Sequence, residues 1–338
     1  MRAMEIQGAY GLEHLALATR AVPKAGPKHI VVQLKAACLN YRDLATCMGL
    51  AGQHALPLVP LSDGAGIVVD VGDEVTRVAV GDRVCPLFFQ TWIAGAPTLD
   101  NLMQALGGPL DGCAQDYVVL SQEGVVKVPD YLSDLEAATL PCAALTAWRA
   151  LIVEGRLKAG DTVLVQGTGG VSIFALQFAK AAGARVIVTS SSDEKLARAE
   201  ALGADHLINY RKTEDWGRAA RAACGGVGVD HVVEVGGAQT LAQSLAAIRV
   251  GGHIAIIGLL SGMVKDMNVA TVFSQNARIH GITVGNRTQF EDMLKAMALH
   301  QLRPVIDTTF PLEGLKAGLE HMGAGAHFGK IAIDIASS

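Results

Sequence analysis

Three glycines carry the clearest chemical signal in the chain. Gly167, Gly169 and Gly170 lie between the apolar run Val163–Val165 and the stretch Ile173–Ala182, whose large apolar residues recur at helical spacing and stop at Gly183. Strand, glycine turn and helix in that order let the backbone approach a diphosphate closely, while the free N–H groups of the first helical turn point at it. Gly167, Thr168, Gly169, Gly170 and Val171 are therefore candidate diphosphate ligands. Ser172 stands where such turns usually carry a third glycine, and serine is small enough for the same helix–strand packing.

Such a turn needs a sheet to position it, and the surrounding chain supplies one. Strands are predicted at Arg185–Thr189, His206–Tyr210, Val229–Val235, His253–Ile257 and Ile279–Val284, with helices at Lys195–Leu202 and Thr240–Ile248. Strands and helices that alternate imply a parallel, doubly wound sheet. The first part of the chain reads differently. Ile30–Lys35, Gly64–Gly72, Gly81–Cys85, Tyr117–Leu120 and Val125–Val128 are short apolar runs between glycine and aspartate turns, the mark of a compact, mostly β domain. Phe88–Gly112 is irregular and reads as a lobe, with Phe88, Phe89 and Trp92 either lining a pocket or forming local core. Ser133–Glu136 is a candidate capping box, and Leu145–Glu154 reads as a helix. Near the end, a helix at Phe290–His300 and a strand at Gly329–Ile335 are expected to return to the first domain. The expected organisation is 1–130, 131–286 for the doubly wound unit, and 287–338, with a ligand cleft between the two domains.

Composition narrows the function classes. The 338 residues are half hydrophobic, with a net charge of −4 from 28 basic and 32 acidic residues. No basic run points to nucleic acid. No apolar run reaches the roughly 20 residues of a membrane helix, and Met1–Gln7 lacks the apolar segment of a signal peptide. Six scattered cysteines, at 38, 47, 85, 113, 142 and 224, form no C-x-x-C pair, which fits reduced thiols in a cytoplasmic protein.

Over nearly its full length the chain resembles the medium-chain dehydrogenase/reductase superfamily, most closely its zinc-independent, quinone oxidoreductase-like branch. The stretches that carry the resemblance are Ala37–Leu44, Gly64–Gly72, Val80–Val84, Leu140–Ala150, Gly167–Ser172 and Gly203–Tyr210. The resemblance implies an α/β fold, a Rossmann doubly wound parallel sheet inserted into a GroES-like, mostly β catalytic domain, and hydride transfer with a nicotinamide cofactor. Zinc-dependent members of the family use a cysteine, a histidine and a later cysteine as ligands. Here those positions are Asn40, Ser62 and Cys142. A catalytic zinc needs three protein ligands, so no metal is expected. Asp43 and Asp63 match acidic positions behind those ligands.

An acid at the end of the second strand would select NAD by binding the ribose 2′-hydroxyl. Counted along the resemblance, that position is Ser190, followed by Ser191 and, a turn later, Lys195; these suit a 2′-phosphate, so NADPH is expected. Asp193 argues against this unless it is a first-turn helix acid. Tyr210 matches a family position beside the adenosine end. Arg211 either adds charge there or caps an exposed strand end. Family positions near the nicotinamide are Asn40 and Thr146, with Gly258, Leu259, Val284 and Asn286 after the fifth and sixth strands, and Lys330 near the reaction site. Without a Lewis acid, the expected substrate is already electrophilic: a quinone or an α,β-unsaturated carbonyl. Asn40 and Tyr41 are the candidate catalytic residues, with Arg42 in support. The rival readings are an NADP-linked alcohol dehydrogenase with a metal on Cys142, Asp43 and Asp63, and a non-catalytic NADPH-binding protein. The apolar sixth strand, at the sheet edge in this fold, predicts a homodimer.

Overall fold

The computed structural model describes residues 1–336. The chain divides into two units, Met1–Leu145 with the chain from Val284 onward, and Thr146–Thr283. The tail groups with the first unit. The entry into the second unit lies later than the expected 130/131 boundary. Residues 131–145 are tied to the β unit by Arg83, which bonds Leu132 O at 2.8 Å and Asp134 Oδ1 at 2.8 Å, and by the Cys85 thiol, which donates to Ala137 O. Cys142 therefore belongs with the β unit.

In that first unit one sheet runs in the order Ile306–Pro311, Lys330–Asp334, His29–Cys38, Asp63–Val71, Arg83–Pro86 and Val125–Lys127, with Tyr117–Ser121 also paired to His29–Cys38. Alternation along His29–Cys38 sends Ile30, Val32 and Leu34 into a core with Val68, Val84 and Val118. Burial of each such side chain is worth about 1.5–3 kcal/mol. The register then sets the chemistry. Ala332 pairs with Cys38, so Lys330 comes opposite Asn40, while Cys38 pairs with Asp63 on its other side. Phe88, Phe89 and Trp92 are at most 7% exposed and pack ring against ring, so the lobe aromatics are local core.

The second unit holds six parallel strands: β1 (Thr162–Gln166), β2 (Arg185–Ser190), β3 (His206–Asn209), β4 (Val229–Glu234), β5 (Ile248–Ile256) and β6 (Arg278–Gly281). Their order is β3-β2-β1-β4-β5-β6, the doubly wound arrangement, with a switch point between β1 and β4. β1 is buried at all five residues, which explains its unbroken apolar run. Two expectations change. β6 stops at Gly281, and Arg278, His280 and Gly281 are exposed, so the edge strand is less apolar than expected. The predicted helix at Leu145–Glu154 is α-helical only over Leu145–Trp148. π-helical turns at Leu140–Ala144 and Arg149–Glu154 flank it, the first containing Pro141, which cannot donate to an α-helical ladder.

Candidate active site

Asn40 ends the extended strand and starts the helix Tyr41–Cys47. Its backbone N–H donates to Asp43 Oδ2 at 2.8 Å, which fixes the side chain at the strand–helix corner. From there a directed hydrogen-bond chain runs through the β unit. Lys330 Nζ donates to Leu39 O at 2.7 Å and to Asn40 Oδ1 at 2.6 Å. Asn40 Nδ2 donates to Ser62 Oγ at 3.3 Å, and Ser62 Oγ donates to Asp63 Oδ1 at 2.8 Å. The Cys142 N–H closes the far end on Asp63 Oδ2 at 3.1 Å. An ammonium and a carboxylate are thus joined through two neutral side chains. Because lysine can only donate and carboxylate only accept, the orientation of the Asn40 amide follows.

Electrostatics at this cluster are those of charges kept from water. Burial pushes the Asp63 and Asp43 carboxyls up, Asp43 to about 6; Lys330 opposes the shift at Asp63 and Arg42 that at Asp43. The Lys330 ammonium is penalised by burial, but nearby Cys38, Asp63, Cys142 and Asp43 outweigh that and raise its pKa. Desolvation, helped by the Asp63 charge, holds the Cys142 thiol well above the usual range, so it stays protonated.

A zinc ion does not fit these residues. Two of the three ligand positions are a carboxamide and a hydroxyl, and a buried ammonium already sits on the Asn40 oxygen. Among the described residues no group of three His, Cys, Asp or Glu side chains is arranged to hold a metal. The two carboxylates of the alternative metal set, Asp43 and Asp63, are engaged by Asn40, Ser62 and Cys142.

Tyr41, the first helical residue, is 53% exposed. Arg42 is committed elsewhere: its guanidinium bonds Leu106 O at 2.7 Å and Gly108 O at 2.8 Å and lies over the Phe88 ring. Its expected support of the substrate becomes a clamp between helix and lobe. The Asn286 side chain caps the helix Arg287–His300 on the Gln289 N–H and bonds Gly95 O at 3.2 Å. Val284, buried, opens the returning segment.

In the second unit the nucleotide-binding features converge at the carboxyl ends of β1 to β3. Gly167 has φ +69 and open space where a Cβ would stand, and it donates to Thr189 O at 2.8 Å. Gly169 precedes the helix Gly170–Ala181, whose first-turn N–H groups have no acceptor within the helix. Ser172 Oγ ties that helix to Gln166 O at 2.7 Å, the packing role expected of it. Tyr210 N–H reaches Ser190 O, which places Tyr210 beside Ser190. Ser192 caps the helix Asp193–Ala201 through the Lys195 N–H, with Ser191 half-buried before it. Asp193 is engaged by Asn209 Nδ2 and Lys212 Nζ, hydrogen bonds that lower its pKa, so it serves as a first-turn acid. These are the residues that would hold a dinucleotide diphosphate.

Sequence reasoning missed Glu234. This fully buried carboxylate at the end of β4 accepts from Gln166 Nε2 at 2.8 Å, the Gly236 and Gly237 N–H groups at 2.8 and 3.0 Å, and Thr240 Oγ1. It fixes the turn after β4, and that turn holds the one after β5: Ser261 N–H donates to Gly236 O, and a Cβ on Gly258 would meet Val235 O at 2.7 Å. Leu259 is 44% exposed there, while Thr146 is buried. The available signal was a lone acid in an apolar strand followed by two glycines.

Residues 26–130 match the family model described as the alcohol dehydrogenase GroES-like domain, and residues 170–299 match that described as zinc-binding dehydrogenase. The chain is 46% identical to a zinc-type alcohol dehydrogenase-like protein of Schizosaccharomyces pombe, over 96% of each chain. It is 29% identical to an acryloyl-coenzyme A reductase of Metallosphaera sedula, over 92% of this chain and 93% of that one. Among solved structures, a Sinorhizobium meliloti protein named as an alcohol dehydrogenase superposes with a TM-score of 0.93 at 43% identity, covering 99% of this chain and 98% of that one. A quinone oxidoreductase of Pseudomonas syringae superposes with a TM-score of 0.84 at 29% identity, covering 99% of both.

Proposed function

The chain belongs to the medium-chain dehydrogenase/reductase superfamily of oxidoreductases, and from that premise we propose an NADPH-dependent, zinc-independent reductase of quinones or α,β-unsaturated carbonyls. The observation that carries this reading is the Lys330 ammonium on Asn40 Oδ1, where zinc-dependent relatives begin their ligand set. A bound nicotinamide cofactor supplies hydride. The chain's own residues bind, orient and exclude water. Gly167–Val171 and the helix behind them hold the diphosphate; Ser190, Ser191, Lys195 and Tyr210 take the 2′-phosphate end; Thr146, Gly258 and Leu259 serve the nicotinamide end. Asn40 and the exposed Tyr41 hydroxyl meet the substrate oxygen. With no Lewis acid, the substrate must bring its own electrophilic carbon. The name of the acryloyl-coenzyme A reductase supports the unsaturated-carbonyl class and that of the Pseudomonas protein the quinone class.

The protein acts as a cytoplasmic homodimer in this reading. Its six free cysteines suit a reducing compartment, β6 leaves one edge of its sheet open, and Leu260, Met263 and Phe273 of the same unit are exposed. No helix among the described residues is long and apolar enough to cross a membrane. The deciding experiment is turnover of NADPH and NADH after chelator treatment, against quinones, enones and aldehydes. NADPH-specific reduction of quinones or enones is the expected result. Activity with aldehydes alone, lost on chelation, would overturn it. A monomer by sedimentation would remove the dimer.

A further inference from the structure

The buried ammonium of Lys330 has an unusual set of neighbours. Its acceptors, Leu39 O and Asn40 Oδ1, are both uncharged, and no carboxylate lies within ion-pairing distance of it among the described residues. A cation kept from water without a contact anion imposes its field on the groups it touches. Of those groups, Asn40 is the one that leads outward. Ser62 and Asp63 are fully buried and Lys330 is 3% exposed, whereas Asn40 keeps 8% and adjoins exposed Tyr41. A charge on the carboxamide oxygen draws electron density from its nitrogen and strengthens both N–H donors. One of them is directed at Ser62 Oγ and the adjoining Asp63 carboxyl, which the Asn40 side chain also stabilises. The Ser62–Asp63 end of the chain fixes the amide so that its oxygen stays on lysine and its nitrogen stays a donor.

We propose that Lys330 and Asn40 together form an oxyanion-binding position: the ammonium polarises the Asn40 carboxamide, whose second Nδ2–H donates to a carbonyl, enolate or phenolate oxygen of the ligand. Asn40 is the residue that touches the ligand; Lys330, Ser62 and Asp63 are positioning residues that act through it. The inference rests on the reading of Asn40 as part of the substrate site. Such a donor, preorganised where negative charge develops, replaces part of what a metal ion would do.

The test reads ionisation of a bound probe. 4-Nitrophenol is titrated spectrophotometrically on the NADP-loaded protein, where its yellow phenolate band reports its charge. The expected result is a pKa lowered by about one unit or more against the free phenol, a tenfold gain in ionisation. Lys330→Met should lose that shift, and Lys330→Arg should restore part of it, which a merely structural lysine would not produce. If Lys330→Met does not fold, the pair Lys330→Met with Asp63→Asn, which leaves no unpaired buried charge, takes its place. A wild-type protein that binds no probe, a probe that titrates as in water, or a shift that survives loss of the lysine would each overturn the proposal. Failure here with quinone or enone turnover intact leaves the proposed function standing; a lysine-dependent shift without such turnover does the reverse.

Discussion

Loss of Lys330 should destabilise the β unit in a way that loss of Asp63 partly repairs. In Lys330→Met, Asp63 stays fully buried with neutral donors, Ser62 Oγ, the Cys142 N–H and the Asn40 side chain, in place of a nearby cation. Across the span of three hydrogen bonds, at an effective dielectric constant of about 20, the lost attraction is roughly 2 kcal/mol. Leu39 O and Asn40 Oδ1 also lose a charged donor, and the total of about 3–5 kcal/mol matches the cost of breaking a buried pair from one side. Lys330→Met with Asp63→Asn keeps an acceptor for Ser62 and removes the stranded charge, so it should recover about 2 kcal/mol. The assay is urea denaturation followed by Trp92 fluorescence, with Trp148 and Trp216, both in the other unit, changed to Phe in every variant. With an m-value of about 3 kcal/mol/M, the single variant should lower the midpoint by roughly 1–1.7 M. Additive losses in the double variant, or a single-variant cost below about 1 kcal/mol, would refute the idea that these two charges are coupled.

Ser190→Asp places a carboxylate at the end of β2 and should shift the NADPH/NADH preference toward NADH by at least about tenfold, measured as a ratio of kcat/KM; an unchanged ratio would move the phosphate site elsewhere. His253 is fully buried with no partner for either ring nitrogen, and burial, together with His231, Arg278 and His280, lowers its pKa to about 4. The unfolded chain therefore binds the extra proton first, and stability should fall by up to about 3 kcal/mol as pH drops from about 6.5 to about 4. His253→Phe should flatten that limb of a pH–denaturation profile. Asp43, with its raised pKa of about 6, acts in the opposite sense over about pH 4–6, so Asp43→Asn should steepen the acid limb. Glu234→Gln puts an amide donor among the donors that converge there and should cost about 1.5–3 kcal/mol while weakening NADPH affinity, read by calorimetry; unchanged affinity would confine Glu234 to stability.

Local sequence carried the elements well because their signals are local. The glycine turn at 167–170 and the apolar runs of β1 and β2 depend on near neighbours, and each stands where the residues put it. Departures came where packing decides. Pro141 and its neighbours wind as π-helix, and Arg42, an attractive substrate ligand on paper, is drawn to the lobe carbonyls of Leu106 and Gly108. The Asn286 side chain is held in a helix cap, which packing against the following helix decides.

The sequence by itself determined that a carboxamide and a hydroxyl, at Asn40 and Ser62, stand at the positions that the family resemblance assigns to zinc ligands, and residue type sets ligand chemistry. It also determined the diphosphate turn, since only glycine takes φ +69 without strain at Gly167. Tertiary structure alone decided that Lys330, 290 residues along the chain from Asn40, donates to its side chain. Sheet register fixes that contact, and register depends on pairing between strands distant in sequence, which no local pattern in either strand specifies. Glu234 is similar: its acidity is visible in the chain, but its donors come from β1, the turn after β4 and the following helix, and only the folded sheet gathers them around one carboxylate.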